Sequence, residues 1–413
     1  MRRAPLIIGI IIGVLVLIVA SYFIFFRTPA PGLSVEPGGN PFQEGGDYQG
    51  GGAGSGALGQ TGEAGEEVAP NLIKITAGPV AYGTLARTAQ RTVVEETGQG
   101  TSTATSTRVI TYTEVRYAER ESGNVFAYDL DARTLTRVSN RTLPGVQEAS
   151  WSRDGATAFL RFLSTNDGGG ESLDTFALAV GRDDGGYFLE SGLDQVLVTG
   201  SSTVITLLPS STGSIATSAR IDGTSAKTFF SSALSALRLY PAGTGLAAFT
   251  KASAQLDGLG FMISSAGTFT RVLGPYKGLT LLPSPSGKSI LYSYASGASV
   301  TAGVLDVATR TTTAIPIAAL PEKCVWAADE TAVYCGVPRS MQTGWPDSWY
   351  QGVVSFSDRI WKVDMAARTA SLVVDTNAVG KVEVDAVSLS IDPKSDALVF
   401  TNKKDGSLWV YDL

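Results

Sequence analysis

The chain has 413 residues, of which 17% are charged, and its formal net charge is −6. Three arginines and six acidic residues lie before residue 71, which leaves about −3 for the remainder and no basic stripe that could neutralise phosphates, so nucleic acid is not an expected partner. Histidine is absent, which removes the Ser–His and Cys–His nucleophile pairs and disfavours an enzyme without excluding carboxylate chemistry.

Residues 4–26 form a near-continuous apolar run that is long enough to span a bilayer as a helix. Arg2 and Arg3 precede this run and acidic residues follow it, so the positive-inside rule places the N-terminus in the cytoplasm and the rest outside. A cleaved signal peptide is the alternative. The run exceeds the usual signal-peptide core and ends in YFIFF without a small-residue cleavage site. We therefore predict an uncleaved, single-pass anchor over residues 1–27 in the cytoplasmic membrane.

Residues 28–70 are rich in glycine, with proline, serine and scattered glutamates. Such a composition cannot bury enough apolar surface to fold, so it predicts a disordered linker. As a flexible coil, the linker would reach on the order of 35 Å. We therefore expect residues 71–413 to form a separate domain that is tethered to the membrane.

From residue 71 onward, short β-rich runs alternate with turns of Gly, Pro, Ser and Asp. The motif WSRDG at residues 151–155 lies between two apolar runs and predicts a strand, a turn and a strand. Counterparts begin at residues 198, 240, 283, 326 and 391, at intervals of about 40–50 residues apart from a longer last one. Each unit holds about four strands, which is typical of one blade of a β-propeller.

Counting units in both directions from residue 151 predicts an all-β, seven-bladed β-propeller over residues 71–413. A first unit covers residues 78–139 and contains a polar insertion at residues 86–107. The last unit is one strand short, and residues 71–76 (NLIKIT) are the natural donor of that strand. The N- and C-terminal strands would then share one sheet, which removes an exposed edge. Six or eight blades remain open, because the unit near residue 198 is degenerate.

The motif WSRDG, with GNVFAYDL before it at residues 123–130, resembles the repeats of TolB-like and other WD40-like β-propellers. The overall layout resembles membrane-anchored propellers of candidate-phylum (Parcubacteria-type) bacteria. The segments that carry this second resemblance are WPDSWYQGVVSFSDRIWKVD at residues 345–364 and the terminal FTNKKDGSLWVYDL. The resemblances imply a propeller fold and an extracytoplasmic location, and they imply no particular activity.

A polar, glycine-rich stretch at residues 164–175 contains Asn166, Asp167, Glu171 and Asp174. Clustered carboxylate and amide oxygens could hold Ca²⁺, although the spacing does not match an EF-hand loop. The alternative is an ordinary solvated connection between two strands. Apart from this Ca²⁺ site, we expect no cofactor.

The chain has two cysteines, Cys324 and Cys335, at mirror positions about Asp329-Glu330 in CVWAADETAVYC. A hairpin with its turn at that pair would place the two side chains opposite each other on adjacent strands. In an exported domain they could form a disulfide that adds about 2–3 kcal/mol of stability. Two small buried apolar residues are the alternative interpretation.

An insertion at residues 336–352 interrupts the repeat and falls in the loop between the second and third strands of its blade. Propellers commonly bind ligands on the face that carries these loops. Aromatic rings give a large contact area at low entropic cost, which suits the binding of peptides or sugars. The alternative is that the rings fold back and cap the blade. The candidate ligand-binding residues are Arg339, Gln342, Trp345, Asp347, Trp349, Tyr350 and Gln351.

Together these features predict a membrane-tethered, extracytoplasmic propeller that acts as a non-catalytic binding or scaffolding module. The expected partners are the membrane, through residues 4–26, and a protein, a peptide or an envelope glycan. The alternative is a carboxylate-dependent glycan hydrolase or lyase with its site in the propeller channel. Two carboxylates that converge in a pocket, one of them with a raised pKa, would favour that alternative.

Overall fold

The computed structural model describes residues 61–97, 104–165, 169–182, 185–297, 299–340 and 345–413. The anchor expected at residues 4–26, and the linker as far as residue 60, lie outside the described residues. Within the described ranges, no helix has the length and apolar character needed to cross a bilayer. Regular structure there is almost entirely antiparallel β-sheet, so the all-β prediction is confirmed.

Three short strands come first: β1 (Thr61–Glu63), β2 (Glu66–Ala69) and β3 (Leu72–Lys74). The later strands form sheets of consecutive strands, four in each set except the last, which has three. Sheet 1 contains β4 (Leu85–Thr97), β5 (Ala104–Ala118), β6 (Val125–Asp129) and β7 (Thr134–Arg137), and sheet 2 contains β8 (Val146–Trp151), β9 (Thr157–Thr165), β10 (Glu171–Ala179) and β11 (Gly186–Phe188). Sheet 3 contains β12 (Gln195–Thr199), β13 (Thr203–Ser210), β14 (Gly213–Arg220) and β15 (Lys227–Ser232), and sheet 4 contains β16 (Leu237–Ala242), β17 (Gly245–Thr250), β18 (Asp257–Ile263) and β19 (Phe269–Lys277).

Sheet 5 contains β20 (Thr280–Pro283), β21 (Ser289–Ser296), β22 (Ser299–Asp306) and β23 (Thr312–Ala314), and sheet 6 contains β24 (Cys324–Trp326), β25 (Ala332–Pro338), β26 (Asp358–Asp364) and β27 (Thr369–Val374). Sheet 7 contains β28 (Ala386–Ile391), β29 (Ala397–Asn402) and β30 (Leu408–Asp412). Three short helical segments lie among the connections of the last sheets. They are a 3₁₀ turn (Pro321–Lys323) before β24, α1 (Asp347–Tyr350) between β25 and β26, and α2 (Thr376–Gly380) before β28.

Sheet 7 is completed by the N-terminal strands of the described chain. β3 pairs with β30, with Leu72 opposite Tyr411, and β2 pairs with β3. This pairing agrees with the expectation that residues 71–76 supply the strand that the last unit lacks. β1 pairs with β7 on the outer edge of sheet 1, so strands begin before the expected domain boundary at residue 71. An outer strand has unpaired backbone N–H and C=O groups, which can pair with another segment whatever side chains that segment carries. The composition of the segment therefore does not predict that it forms a strand.

Neighbouring sheets pack face to face through apolar clusters. Cores of this kind join sheets 1 and 2, 2 and 3, 3 and 4, 4 and 5, 5 and 6, and 6 and 7. A further cluster joins sheet 7 to sheet 1 through residues such as Val399 and Tyr117. Because both faces of a sheet are covered, the inner strand β29 (ALVFTN) is buried at every position.

The residues expected to form a polar insertion, 86–107, instead lie mostly in the hairpin of β4 and β5. The two strands pair from Leu85 opposite Arg116 to Thr97 opposite Ala104. β5 pairs with β6 only over Glu114–Ala118, so most of the hairpin extends beyond the rest of sheet 1. Both of its faces carry polar residues, with Thr88, Gln90 and Thr92 on one face and Arg87 and Arg91 on the other, which explains why its threonine-rich sequence lacks the apolar alternation of a half-buried strand.

The first strands of the sheets follow one another around a common axis. β8 contacts β12, β12 contacts β16 and β16 contacts β20, while β24 contacts β28 and β28 contacts β4. The 3₁₀ turn occupies the step from β20 to β24. Tyr82, just before β4, pairs in parallel with Glu148 on β8 and completes the circle. Residues at the starts of these strands therefore face one shared space.

Candidate functional site

A cavity of about 440 Å³ opens at the end of the axis where the first strands begin. Its walls come from sheets 1, 2, 4 and 7, from the 3₁₀ turn and from α1. We call it the axial cavity and define it by its lining residues, which are Tyr82, Gln147, Glu148, Tyr240, Glu322, Trp349, Tyr350, Val387, Ser388 and Lys403. Its size and its mixture of aromatic and polar groups are those of a small-molecule site.

Two of the three charged groups in the axial cavity are carboxylates, and they are held differently. Glu148, on β8, forms an ion pair with the buried Arg161 of β9. Glu322, in the 3₁₀ turn, accepts a hydrogen bond from the Tyr350 hydroxyl on α1. Burial raises the pKa of Glu322 above its usual value, against the lowering effects of the Tyr350 hydrogen bond and of the charge on Arg238. Glu322 therefore holds a proton more readily than an exposed glutamate.

The third charged group is Lys403, in the turn between β29 and β30. Its ammonium lies 3.9 Å from the centre of the Trp349 ring and donates a hydrogen bond to the Trp349 carbonyl oxygen. Burial lowers the pKa of Lys403, although Asp385 and Glu322 act in the opposite direction. No ion pair links Lys403 to a carboxylate of the described residues. The cavity thus contains an ammonium stabilised mainly by an aromatic ring and one carbonyl.

Beneath the cavity wall lies a fully buried ionic cluster, made of Lys323, Asp358 and Asp385. The Lys323 ammonium contacts Asp358 Oδ2 at 2.7 Å and also pairs with Asp385. Asp385 Oδ2 accepts from the indole of Trp349 at 3.0 Å and from the backbone of Phe356 at 3.0 Å. The cluster therefore fastens the residues around α1 to the start of sheet 7.

The pKa values of the two aspartates in this cluster are shifted in opposite directions. Burial raises the pKa of Asp358 to about 6, and Lys323 offsets only part of this effect. Burial also disfavours the ionised form of Asp385, but Lys323 and the donors Phe356 and Trp349 outweigh it and hold its pKa below the usual range. Asp385 thus favours its ionised form beside the ammonium, whereas Asp358 gains a proton at a higher pH.

The insertion folds back over the axis. Trp345 and Trp349 are 7% and 6% exposed and pack with Phe356 in one cluster. The carboxylate of Asp347 accepts a hydrogen bond from the backbone of Ala254 at 2.6 Å, which ties α1 to the loop between β17 and β18.

The candidate ligand-binding residues therefore separate into two groups. Trp349 and Tyr350 line the axial cavity, whereas Trp345 and Asp347 fix the insertion in place. Arg339 pairs with Asp375 at the surface, and Gln351 is exposed at the end of α1. Gln342 lies outside the described residues. The predicted binding of a ligand by this set remains a prediction, now centred on Trp349 and Tyr350.

The predicted calcium ligands are only partly described, since Asn166 and Asp167 lie outside the described residues. Glu171 and Asp174 both lie on β10, three positions apart, and so their side chains point to opposite faces of the sheet. Asp174 accepts a hydrogen bond from Ser164 at 2.6 Å, and the hydroxyls around it lower its pKa. Among the residues that the structure describes, no three His, Cys, Asp or Glu side chains come together as a metal site.

Cys324 and Cys335 face each other on β24 and β25 and are joined by a disulfide. Both cysteines belong to the cluster between sheets 5 and 6, so the bond is buried. It ties β24, which directly follows the 3₁₀ turn of Glu322, to the centre of sheet 6.

Sequence reasoning missed most of the cavity, including Tyr82, Glu148, Tyr240, Glu322 and Lys403. Lys403 belongs to a stretch, KKDG, that reads as a charged hairpin turn, and the turn is present. The signal that could have found the others is their position. Glu148 and Tyr240 are polar or aromatic residues within the first strand of a repeat, where the strands surround the axis.

No family model and no curated protein matches the sequence. Among solved structures, an oligogalacturonate lyase in complex with manganese has a TM-score of 0.51 at 11% identity, covering 80% of this chain and 98% of that chain. The β-propeller domain of Myceliophteria thermophila Cps50 (Swd1) covers 73% and 93%, with a TM-score of 0.46 and 9% identity. TolB from Acinetobacter baumannii covers 68% and 78%, with a TM-score of 0.41 and 8% identity. At such low identity the likeness concerns the fold alone, and this fold resembles that of TolB-like β-propellers.

Proposed function

We propose that this protein is a membrane-tethered, extracytoplasmic, seven-bladed β-propeller that binds a peptide, a protein segment or an envelope glycan in its axial cavity without catalysis. The observation that carries the proposal is the axial cavity itself, which combines four aromatic side chains with three charged ones. Aromatic walls supply contact area, and a few fixed polar groups supply orientation, as in most ligand sites.

Three further observations support the architecture and the compartment. The described residues contain seven sheets, and the last packs on the first. The apolar run at residues 4–26, with Arg2 and Arg3 before it, favours an anchor whose N-terminus is cytoplasmic. The disulfide between Cys324 and Cys335 is of a kind that persists outside the cytosol.

The insertion connects the proposed function to the sequence prediction. Trp349 and Tyr350 bring the insertion into the cavity wall, so the insertion-bearing face and the cavity are the same end of the protein. A partner that enters the cavity therefore also meets the exposed surface of the insertion, where Val353 is 76% exposed.

A filled-cavity variant tests the proposal. Val387→Trp adds bulk to a residue that lines the axial cavity, whereas Val353→Trp adds the same bulk at the exposed surface nearby. Both are made in the full chain, solubilised in detergent micelles, and used to capture ligands from detergent extracts of cell envelopes. We expect Val387→Trp to lose the ligands that wild type and Val353→Trp retain. Equal recovery by all three proteins, with unchanged circular dichroism, would show that the cavity does not bind them.

The location has its own test. Protease added to intact spheroplasts that contain the full chain should digest the propeller and leave the anchor. Protection of the propeller until the membrane is opened would place it in the cytoplasm and contradict the proposed topology.

Glycan cleavage is the second candidate, and a specific observation favours it. Glu148 and Glu322 both line the cavity, and Glu322 has the raised pKa that suits a general acid. The manganese of the lyase with a similar fold has no counterpart cluster of three ligands among the residues described for this chain, so no step through a metal is derived. Release of new reducing ends or of ultraviolet-absorbing unsaturated products from an envelope or uronate glycan, lost in Glu322→Gln, would establish catalysis in place of binding alone.

A further inference from the structure

The charged groups of the axial cavity indicate the chemistry of its ligand. Glu148 already has a partner, since it forms an ion pair with Arg161. Glu322 and Lys403 do not, because neither has an opposite charge at ion-pair distance among the described residues. Glu322 accepts from a tyrosine hydroxyl, and Lys403 donates to a carbonyl. Each is thus hydrogen-bonded to a neutral group, and neither has an opposite charge at ion-pair distance among the described residues.

These two groups affect each other without touching. Burial acts against both charges. The charges of Arg238 and Lys403 lower the pKa of Glu322, and the charges of Asp385 and Glu322 raise the pKa of Lys403. Two buried opposite charges would ordinarily gain by forming a charge-assisted hydrogen bond. Here both groups line the same cavity without pairing with each other, and a ligand that carries both charges could supply each with its missing partner.

The cavity walls restrict the ligand further. Tyr82, Tyr240, Trp349 and Tyr350 line the cavity, and aromatic faces attract ammonium groups as well as apolar side chains. A volume of about 440 Å³ is sufficient for a molecule of one to three amino-acid residues. Gln147 and Ser388 add uncharged polar side chains for peptide groups.

We propose that the axial cavity binds a small zwitterion, namely an α-amino acid or a di- or tripeptide with both termini free, whose ammonium lies at Glu322 and whose carboxylate lies at Lys403. This inference rests on the proposed ligand-binding function of the cavity and names the class of ligand. An ammonium beside Glu322 favours its ionised form, so binding releases a proton from that carboxyl wherever the free protein holds one.

The experiment uses titration calorimetry on the full chain in detergent micelles. The probes are Ala-Ala, Leu-Leu and Tyr-Tyr, each with free termini, N-acetylated, or C-amidated. We expect at least one free dipeptide to bind tenfold or more tightly than both of its blocked forms. Titration in two buffers of different ionisation heat should show proton release on binding once the pH is low enough for the free protein to hold the Glu322 proton, which a purely structural role for Glu322 would not produce.

Two variants and a matched control assign each terminus to its residue. Glu322→Gln should weaken the binding of the free dipeptide. In this variant N-acetylation should no longer lower the affinity, whereas C-amidation should still lower it. Lys403→Met should do the reverse. Lys404→Met removes the same charge one position along the chain, where the lysine pairs with Glu383 at the surface, and should bind like wild type. Urea unfolding midpoints show whether the variants remain folded.

The outcomes separate this inference from the function on which it rests. Blocked dipeptides that bind as tightly as free ones, or no binding by any dipeptide, would overturn the zwitterion. If Val387→Trp still loses envelope ligands in that case, the cavity remains a binding site for another chemical class. If Val387→Trp also behaves like wild type, both the zwitterion and the cavity function fail.

Discussion

Replacement of Lys323 by methionine should destabilise the protein severely at neutral pH. The ammonium is fully buried between Asp358 and Asp385, and Met fills nearly the same volume without the charge. Removal of one partner from a buried ion pair typically costs about 3–5 kcal/mol, because the remaining charge has no compensation. Asp385 keeps several donors, whereas Asp358 keeps the backbone donor Ala386 and has one carboxylate oxygen without a partner.

The loss should therefore fall mainly on Asp358, and it should depend on pH. Each unit by which its pKa rises is about 1.4 kcal/mol, so protonation at low pH relieves most of the cost. Equilibrium urea unfolding of the full chain, followed by circular dichroism at pH 5 and pH 7.5, measures both effects. The double variant Lys323→Met/Asp358→Asn removes the stranded charge and should recover at least half of the lost stability. A loss below about 1 kcal/mol at pH 7.5, equal at both pH values, would refute this reasoning.

The same assay checks three further predictions. Because Asp358 has a folded pKa of about 6 and an unfolded value near 3.8, the folded state holds its proton more tightly, and this carboxyl should contribute a loss of about 3 kcal/mol as the pH rises from about 4 through 6, measured as the difference between the wild-type and Asp358→Asn stability curves. Asp358→Asn should lack this decline, and stability curves of wild type and Asp358→Asn that run parallel over this pH range would contradict the prediction. Reduction of the disulfide between Cys324 and Cys335, which closes an 11-residue loop, should lower the free energy of unfolding by about 2–3 kcal/mol. Replacement of both cysteines by alanine should have the same effect, and the stability of that double variant should not respond to reductant. Gly83→Ala should cost roughly 2 kcal/mol or more, since φ is +89° and the new Cβ would lie 2.0 Å from a backbone oxygen of β8, whereas Gly78→Ala, with open space around it, should stay within about 0.5 kcal/mol.

The strand and turn pattern was predictable because its causes are local. In the WSRDG turn, the carboxylate of Asp154 accepts hydrogen bonds from the Ser152 hydroxyl and the Ala156 backbone, and Gly155 adopts a positive φ. These contacts span only a few residues, so they are visible in the residue types themselves. The mirror spacing of the two cysteines is equally local, since a hairpin register determines which residues face each other.

Two parts of the fold were not predictable in this way. The hairpin of β4 and β5 has polar residues on both faces because it extends beyond the sheet, so its sequence resembles a loop. β1 forms a strand within a glycine-rich segment because the edge of sheet 1 offers free backbone groups. In both cases a distant partner, rather than the segment's own composition, decided the structure.

The sequence by itself determined that the chain builds a β-sheet repeat, where its turns lie, and that the insertion interrupts the repeat. Only the tertiary structure decided which residues form the axial cavity. Tyr82 and Lys403 lie more than 300 positions apart along the chain, and they meet because the last sheet packs on the first. The charge of Lys403 likewise acquires its meaning from burial and from the Trp349 ring beside it, neither of which a turn motif can encode. Strand patterns follow from short-range chemistry, whereas the site follows from the closure of the chain around its axis.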